Sequence, residues 1–255
     1  VRDYGPLTAM SNGEQVVINA VFNGWGEKYP AQSDNAVTAS LHNQGAFGNR
    51  PLINSNIVIE GGAIEVDGNG TLMTRTCCLP TRDANKPQHQ LSKELAELLG
   101  LRQIAWLEHG ELEGDDTDAH IDTLARFLPG NRIVYQGCDD ETDSHYVGLQ
   151  HMANELKAMR NADGQPYQLT ALPWPQATHN DDGDRLPLGY ANFLICNQQL
   201  LLPTYGIPQD ATAITTLSAA APDFTVTPVN CRALVEQYGS LHCATMQIPT
   251  LPDNS

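Results

Sequence analysis

The sequence predicts a single α/β domain built from repeated ββαβ units. Three times, two strand-like runs are followed by a helix and a closing strand, at a spacing of roughly 65 residues. The chain of 255 residues contains no Pro/Ser-rich linker or low-complexity tract that would divide it. Residues 1–255 are therefore expected to form one domain with a repeated fold and partial units at both ends.

The individual elements are predicted from β-branched runs and from the turn and cap residues between them. Residues 16–22 form a strand, and residues 33–42 form a helix with Ser33 or Asp34 at its N-cap. In the first full unit, Asp67-Gly68-Asn69-Gly70 has the composition of a hairpin turn. The remaining elements are strands 56–66 and 70–79, a helix from about Ser92 to Leu99, strand 102–107, strands 122–128 and 132–136, helix 144–160, strand 167–172, strands 190–196 and 200–204, helix 208–219, strand 224–227 and helix 230–238.

The net charge and the positions of the cysteines exclude several kinds of binding partner and site. The formal net charge of -16 repels nucleic acid phosphates and anionic lipids, so neither partner is expected, whereas a cationic small molecule is favoured. No apolar run approaches the roughly 20 residues needed to cross a bilayer, and no signal peptide is visible. The six cysteines contain no C-x-x-C pair, and a disulfide between the adjacent Cys77 and Cys78 would be strained. These features predict a reducing, cytoplasmic location and no zinc ribbon.

The stretch from Gly114 to Asp122 concentrates four carboxylates and a histidine in nine residues. If the segment is a strand, His120 and Asp122 share one face, and an acid and a base then line one cavity. A solvated acidic loop is the alternative interpretation. Asp115, Asp116 and Asp118 are also candidates for binding a hard divalent cation with Asp122, although the EF-hand pattern is absent.

Other candidates lie where the repeated units would meet around a common axis. Glu60 precedes Gly61-Gly62, which allows close approach of backbone or ligand, and Asp3 lies beside a Gly-Pro turn. Cys243 supplies a nucleophile near the end of the chain. The alternatives are an edge carboxylate for Glu60, a turn residue for Asp3 and a structural thiol for Cys243.

His242 and Trp25 are two further residues with polar ring N–H groups near possible site segments. In an extended segment, His242 would point away from Cys243. Asn23-Gly24-Trp25-Gly26 predicts a tight loop over a pocket, with a surface turn around a packed Trp25 as the alternative.

Several common active-site motifs are absent from the sequence. G-x-S-x-G, G-x-x-x-x-G-K-[ST] and H-E-x-x-H do not occur, so serine-hydrolase elbows, P-loops and zincins have no support.

Five motifs in order resemble those of the agmatine deiminase family, part of the guanidino-group-modifying (pentein) superfamily that includes bacterial peptidyl-arginine deiminases. The motifs span essentially the whole chain. They are Arg2-Asp3-Tyr4-Gly5-Pro6, Asn23-Gly24-Trp25-Gly26, Glu60-Gly61-Gly62-Ala63-Ile64-Glu65-Val66-Asp67-Gly68, Thr117-Asp118-Ala119-His120-Ile121-Asp122 and Leu241-His242-Cys243-Ala244-Thr245-Met246-Gln247. The resemblance implies an α/β propeller of ββαβ units with five-fold pseudosymmetry. Because the chain begins only one residue before the first motif and the family has a further segment upstream of it, the propeller is expected to be incomplete at its N-terminus.

The resemblance also implies the roles of the site residues. Cys243 is expected to be the nucleophile, His120 the general acid and base, and Glu60 the residue that orients His120. Asp3 and Asp122 are expected to bind the guanidinium, with Trp25 as a further substrate-binding residue. No metal or cofactor is required by this chemistry.

The expected reaction converts agmatine to N-carbamoylputrescine and ammonia, a step of putrescine and polyamine synthesis. Ala119 departs from the glycine that agmatine deiminases have before the histidine, so deimination of peptidyl arginine is a second expectation. A binding module for guanidinium or polyamines without catalysis and a metal-dependent hydrolase remain as alternatives. A homo-oligomer is an open expectation for the assembly.

Overall fold

The computed structural model describes residues 1–83 and 86–250, and the strands in these ranges form four separate three-stranded sheets. The sheets lie in chain order as β1-β2-β3, β4-β5-β6, β7-β8-β9 and β10-β11-β12. The strands are β1 Leu7–Ser11, β2 Glu14–Val21, β3 Leu52–Val58, β4 Ile64–Val66, β5 Thr71–Arg75, β6 Gln103–Leu107, β7 Ala125–Leu128, β8 Arg132–Gln136, β9 Gln168–Leu172, β10 Leu194–Cys196, β11 Gln199–Thr204 and β12 Thr225–Asn230.

Each sheet has the same topology. Its first two strands form an antiparallel hairpin, and its third strand pairs parallel to the second after a helical crossover. The helices are α1 Gly24–Glu27, α2 Gln32–Asn35, α3 Val37–Asn43, α4 Leu79–Arg82, α5 Gln88–Leu99, α6 Tyr146–Ala158, α7 Gln209–Ala220 and α8 Arg232–Val235. The ββαβ order predicted from the sequence is confirmed, and the described residues contain four complete units rather than three.

The fourth unit was not predicted because the sequence pattern over residues 56–66 indicates a single strand, and this prediction is wrong. That run breaks into β3, which closes the first sheet, a 3₁₀ turn Gly61–Ala63, and β4, which opens the second. The turn is set by tertiary contact, because a Cβ at Gly61 would lie 2.1 Å from the backbone oxygen of Arg2. Local β-propensity on both sides of Glu60 gives no sign of this break.

Three other strands are shorter than predicted, and so is the last helix. The strand predicted over residues 70–79 ends at Arg75, and α4 begins at Leu79. The run over residues 122–128 begins with a 3₁₀ turn, Ile121–Thr123, and β7 starts only at Ala125. Residues 190–193 precede β10, and helix 230–238 is reduced to α8. In the shortened strands, buried apolar residues lie in turns or bends, and the sequence pattern does not distinguish these from a strand. Residues 236–238, which follow α8, are instead exposed.

Several local signals are confirmed. The Asp67-to-Gly70 segment joins antiparallel β4 and β5, and α5 ends at Gly100, which adopts the left-handed conformation with φ 69°. The helix begins at Gln88, after Pro87, rather than at Ser92. The helix predicted over residues 33–42 divides into α2 and α3, with Ala36 between them.

The opening strands of neighbouring sheets meet through a buried ion pair. Arg126 on β7 donates from Nε to Glu65 Oε2 on β4 at 2.8 Å and from Nη1 to the carbonyl of Phe193 at 2.6 Å. The Arg126 guanidinium also lies 5.0 Å from the centre of the Phe193 ring. These contacts place the segments that enter the second, third and fourth sheets beside one another. In the described residues, no helix is long and apolar enough to cross a membrane.

Candidate active site

The predicted site residues lie in the short segments that lead into or out of the sheets. Asp3 precedes β1, Glu60 precedes β4, His120 and Asp122 precede β7, and Cys243 follows α8. His120 contacts both Glu60 and Asp3, and Asp122 lies 3.7 Å from Cys243 Sγ. The structure therefore brings all five together. They are carried by turns, however, and not by the first strands themselves.

His120 is buried between two carboxylates. Its Nε2 lies 2.6 Å from Glu60 Oε2, and its Nδ1 lies 3.5 Å from Asp3 Oδ1. Burial alone would lower the pKa of His120, but Asp3, Cys78 and Glu60 outweigh it, and the pKa lies well above its usual value. The ring is therefore an imidazolium at neutral pH, able to donate a proton.

Asp3 is oriented by two N–H donors. The Gly62 backbone donates to Oδ1 at 2.9 Å, and the Trp25 indole donates to Oδ2 at 3.1 Å. Trp25 adopts φ 57° in a tight turn that is closed by a 2.9 Å hydrogen bond from Gly26 N to Asn23 Oδ1. The loop predicted around Trp25 is confirmed, and it brings the indole to a site carboxylate.

Asp122 is completely buried, and only one of its two oxygens is satisfied. Oδ2 accepts a hydrogen bond from His242 Nδ1 at 2.7 Å, whereas Oδ1 has no hydrogen-bond partner. Burial raises the pKa of Asp122 to about 6, against the opposing positive charge of His120. A buried carboxylate oxygen without a donor is costly, so a ligand with N–H groups and a positive charge suits this position.

His242 and Cys243 both reach Asp122 because residues 241–244 form a turn and not an extended segment. The condition under which His242 would point away from Cys243, an extended segment, is therefore not met. Burial, followed by the charges of Arg126 and Arg2, holds the pKa of His242 well below its usual value. His242 is neutral, and its Nδ1–H is a fixed donor to Asp122.

Asn192 holds Cys243 in position through hydrogen bonds. Its Nδ2 donates to Cys243 Sγ at 3.2 Å and to the carbonyl of Asp122 at 3.3 Å, while its Oδ1 accepts from His242 N at 2.9 Å. Burial raises the pKa of the Cys243 thiol, and the charges of Asp122 and Asp3 raise it further. The sulfur is therefore protonated in the free protein, and a cation bound between the carboxylates would favour its ionisation.

Gly62 provides the space at the centre of the site. A Cβ at this position would lie 2.5 Å from His120 Nδ1, 2.8 Å from Asp3 Oδ1 and 3.1 Å from Asp122 Oδ2. Any larger residue would therefore fill the gap on which these three side chains converge. Gly62, the second glycine after Glu60, therefore allows these three side chains to approach the backbone closely.

Comparison with known proteins identifies the family. Residues 1–249 match the model of the Porphyromonas-type peptidyl-arginine deiminase family. The chain belongs to this deiminase family. Its members are hydrolases that act on guanidino groups, so the family resemblance predicted from the five motifs is confirmed.

Three relatives illustrate the range of this deiminase family. The structure of a Porphyromonas gingivalis protein, provisionally named arginine deiminase, is 45% identical with a TM-score of 0.92 and covers 97% of this chain and 74% of its own. A C. jejuni agmatine deiminase, solved with substrate as a cysteine-to-serine variant, is 37% identical with a TM-score of 0.88 and covers 95% and 71%. A Vibrio parahaemolyticus protein, provisionally named agmatine deiminase, is 32% identical over 98% of this chain and 75% of its own.

The acidic loop of this chain does not resemble a metal site. Asp115 accepts hydrogen bonds from Thr117 N at 3.1 Å and Ala119 N at 2.7 Å, so it closes its own loop. Asp118 pairs with Arg82 at 2.6 Å and Lys28 at 3.0 Å. These partners favour the interpretation of Asp115 and Asp118 as loop residues that position His120.

One group in the described residues does have the spacing of metal ligands, and it consists of Glu60, Cys78 and His120. Arg82, however, donates to Glu60 Oε1 at 2.6 Å and to Oε2 at 3.0 Å. The Arg82 guanidinium and the His120 imidazolium both pair with the Glu60 carboxylate. Their positive charges would repel a metal ion. The group is better described as a hydrogen-bonded network that holds His120.

Sequence reasoning missed Asn192 and Arg82 as parts of the site. Asn192 lies shortly before β10, as Glu60 and Asp122 lie shortly before the opening strands of their own sheets. The repeat therefore indicates the segment that contains Asn192. Arg82 lies on α4 and has no comparable signal, because its contact with Glu60 depends on the chain folding back over the second sheet.

Proposed function

We propose that this chain is an agmatine deiminase that hydrolyses the guanidinium of agmatine to N-carbamoylputrescine and ammonia, a product suited to putrescine and polyamine synthesis. The proposal rests chiefly on the unpartnered, buried Oδ1 of Asp122 beside Cys243. Asp3 lies across the gap left by Gly62. A planar guanidinium between these carboxylates would direct its central carbon toward the thiol. The substrate-bound C. jejuni agmatine deiminase supports this substrate class.

The first half of the proposed reaction is attack by sulfur. The bound cation offsets the negative charges of Asp122 and Asp3 that hold the Cys243 thiol protonated, and the thiol proton leaves to solvent. The thiolate adds to the guanidinium carbon and gives a neutral tetrahedral intermediate. The His120 imidazolium donates its proton to one amino group, ammonia departs, and a cationic S-alkylthiouronium remains on Cys243.

Hydrolysis completes the proposed cycle. Neutral His120 takes a proton from water, whose oxygen attacks the thiouronium carbon. Collapse of the second tetrahedral intermediate breaks the C–S bond and returns the electron pair to Cys243. The hydroxyl proton passes to the sulfur, which restores the thiol, and a urea group remains on the product. In this scheme Glu60 holds the His120 ring, and Trp25 orients Asp3 through its indole N–H.

Replacement of the nucleophile tests the mechanism. In the Cys243→Ser variant, ammonia release from agmatine is expected to fall below detection, because a serine hydroxyl ionises far less readily than a thiol and is a much weaker nucleophile. Cys196→Ser, at an exposed cysteine, is the matched control and should retain full activity. Turnover in Cys243→Ser comparable to that of the control would overturn the covalent mechanism.

Peptidyl-arginine deiminase is the second candidate, because the matching family model carries that description. Parallel assays with free agmatine and with an arginine-containing peptide, scored by ammonia release and by citrulline formation, distinguish the two. Agmatine is expected to be the better substrate. A higher kcat/KM for the peptide would transfer the assignment to protein deimination.

Binding of guanidinium or polyamines without catalysis is the remaining alternative. A haloacetamidine, which is cationic, is expected to alkylate Cys243 faster than a neutral haloacetamide, because the carboxylates attract it and its charge favours the thiolate. Equal rates with the two reagents, together with no turnover, would support the non-catalytic alternative.

We also propose that the four sheets are units of a pentein propeller with five-fold pseudosymmetry. The support is the repeated sheet topology and the Glu65–Arg126 pair that joins the opening strands of two neighbouring units.

A further inference from the structure

Arg75 is a buried cation outside the proposed catalytic machinery. The residue is only 4% exposed, and its Nε and Nη1 have no hydrogen-bond partner. Its Nη2 donates to Cys77 Sγ at 3.2 Å, and no carboxylate among the described residues pairs with it. A buried guanidinium without an anion is unfavourable, and among the described residues the sulfur of Cys77 is the acceptor that this side chain contacts.

Cys77 is accessible, whereas its neighbour Cys78 is not. Cys77 is exposed. The sulfur of Cys78 is buried and lies 3.7 Å from Glu60 Oε2 and 3.6 Å from Arg82 Nη2. The two adjacent thiols therefore face different surroundings, and only Cys77 is available to a reagent from solvent.

Cys77 lines a cavity of about 830 Å³ whose charged lining is acidic. Glu111, Glu113, Asp115 and Asp118 contribute side chains, and neither lysine nor arginine belongs to the lining among the residues that the structure describes. Asp118 is paired with Arg82, and Glu113 lies 3.8 Å from Arg185, which leaves Glu111 and Asp115 to attract cations. The cavity combines a thiol, a guanidinium behind the sulfur and a surface that favours positive charge.

We propose that Cys77 is a thiol-modification site that forms mixed disulfides with disulfides of cationic aminothiols. The Cys77 thiol loses its proton, and the thiolate attacks one sulfur of the incoming disulfide. A new S–S bond forms, the original S–S bond breaks, and the departing aminothiolate takes the electron pair and a proton. Arg75 stabilises negative charge on the attacking sulfur, and the cavity carboxylates attract the cationic arm.

Cysteine-resolved mass spectrometry tests the proposal, with Cys196 as an internal reference. Cys196 is also exposed, but no guanidinium contacts its sulfur among the described residues. With cystamine as the probe, adduct formation is expected to be roughly tenfold faster at Cys77 than at Cys196. With oxidised glutathione, which is anionic, the same ratio should fall several-fold. Equal rates at the two cysteines, or a higher ratio with oxidised glutathione, would overturn the proposal.

Two variants separate the guanidinium from the carboxylates. Arg75→Met should reduce the rate at Cys77 to that at Cys196, and an unchanged circular dichroism spectrum shows that the fold is retained. If Arg75→Met does not fold, the surface variant Glu111→Gln decides, and it should lower the preference for cystamine over oxidised glutathione at Cys77. An unchanged preference would contradict the proposal. The readout is an adduct on a peptide, so it does not depend on deiminase activity.

Discussion

Two histidines in one site are equally buried and differ in charge. His120 is 1% exposed and His242 is 3% exposed, so burial disfavours the imidazolium of both. The pKa of His120 is nevertheless raised well above its usual value, by Asp3, Cys78 and Glu60, whereas the pKa of His242 is lowered well below it. Burial is the largest cause for His242, and the nearby arginines act in the same direction.

The comparison of His120 with His242 shows that charged neighbours decide the protonation state of a buried histidine. On one side of Asp122, carboxylates keep His120 charged and ready to donate a proton. On the other side, His242 stays neutral and presents a fixed N–H to Asp122 Oδ2. Asp122 therefore lies between a charged histidine and a neutral one, and its Oδ1 has no hydrogen-bond partner.

The largest expected effect comes from replacing the two histidines in the same way. His120→Gln should lower kcat by about 10²- to 10⁴-fold, the contribution of a positioned general acid and base. His242→Gln keeps an N–H donor for Asp122 and should cost about tenfold or less. Ammonia release from agmatine measures both. A larger loss in His242→Gln than in His120→Gln would show that the two roles are reversed.

The residue between the two histidines should show a conflict between stability and function. Because the pKa of Asp122 is raised from 3.8 to about 6, its stabilising protonated form is complete below pH 4 and is lost as the pH rises through 6. Asp122→Asn removes that penalty, so the free energy of unfolding at pH 8 should rise by up to about 3 kcal/mol while turnover is lost. The gain should shrink at pH 4.

Urea denaturation of the wild type and Asp122→Asn at pH 4 and pH 8 measures this effect. The amide oxygen of the variant would still accept the hydrogen bond from His242, so the comparison isolates the buried charge. A variant less stable than the wild type at pH 8 would show that the carboxylate contributes more through its contacts than it loses by burial.

Glu60→Gln should move the alkaline limb of the kcat profile. Glu60 raises the pKa of His120, so its removal lowers that pKa, and the imidazolium is lost at lower pH. The high-pH limb is expected to shift down by about one pH unit, with activity at acidic pH affected less than activity at alkaline pH. A uniform loss at every pH would indicate that Glu60 only positions the ring.

Trp25→Phe should have the smallest effect. Phenylalanine keeps the aromatic packing but removes the N–H that donates to Asp3 Oδ2 at 3.1 Å. Loss of one hydrogen bond to a partly exposed carboxylate should raise KM for agmatine about three- to tenfold with little change in kcat. A large fall in kcat with unchanged KM would instead mean that Asp3 acts mainly on the charge of His120.

The sequence specified features that depend on neighbours along the chain. The hairpin residues Asp67 to Gly70 formed the expected turn, and Gly100 ended its helix in the left-handed conformation, because these conformations are set by glycine and by local hydrogen bonds. The same kind of reasoning failed over residues 56–66. There the apolar pattern is continuous, and the break arises from packing against Arg2 near the start of the chain.

By itself, the sequence determined the order of the ββαβ elements and the family, and it named Asp3, Glu60, His120, Asp122 and Cys243 as candidates, because these are encoded in local patterns and short motifs. Only the tertiary structure decided how these residues are arranged and which partners they contact. The charge of His120, the neutrality of His242 and the free oxygen of Asp122 all depend on groups from other sheets. Electrostatic interactions act through space, so a linear pattern names the titratable groups but does not set their protonation.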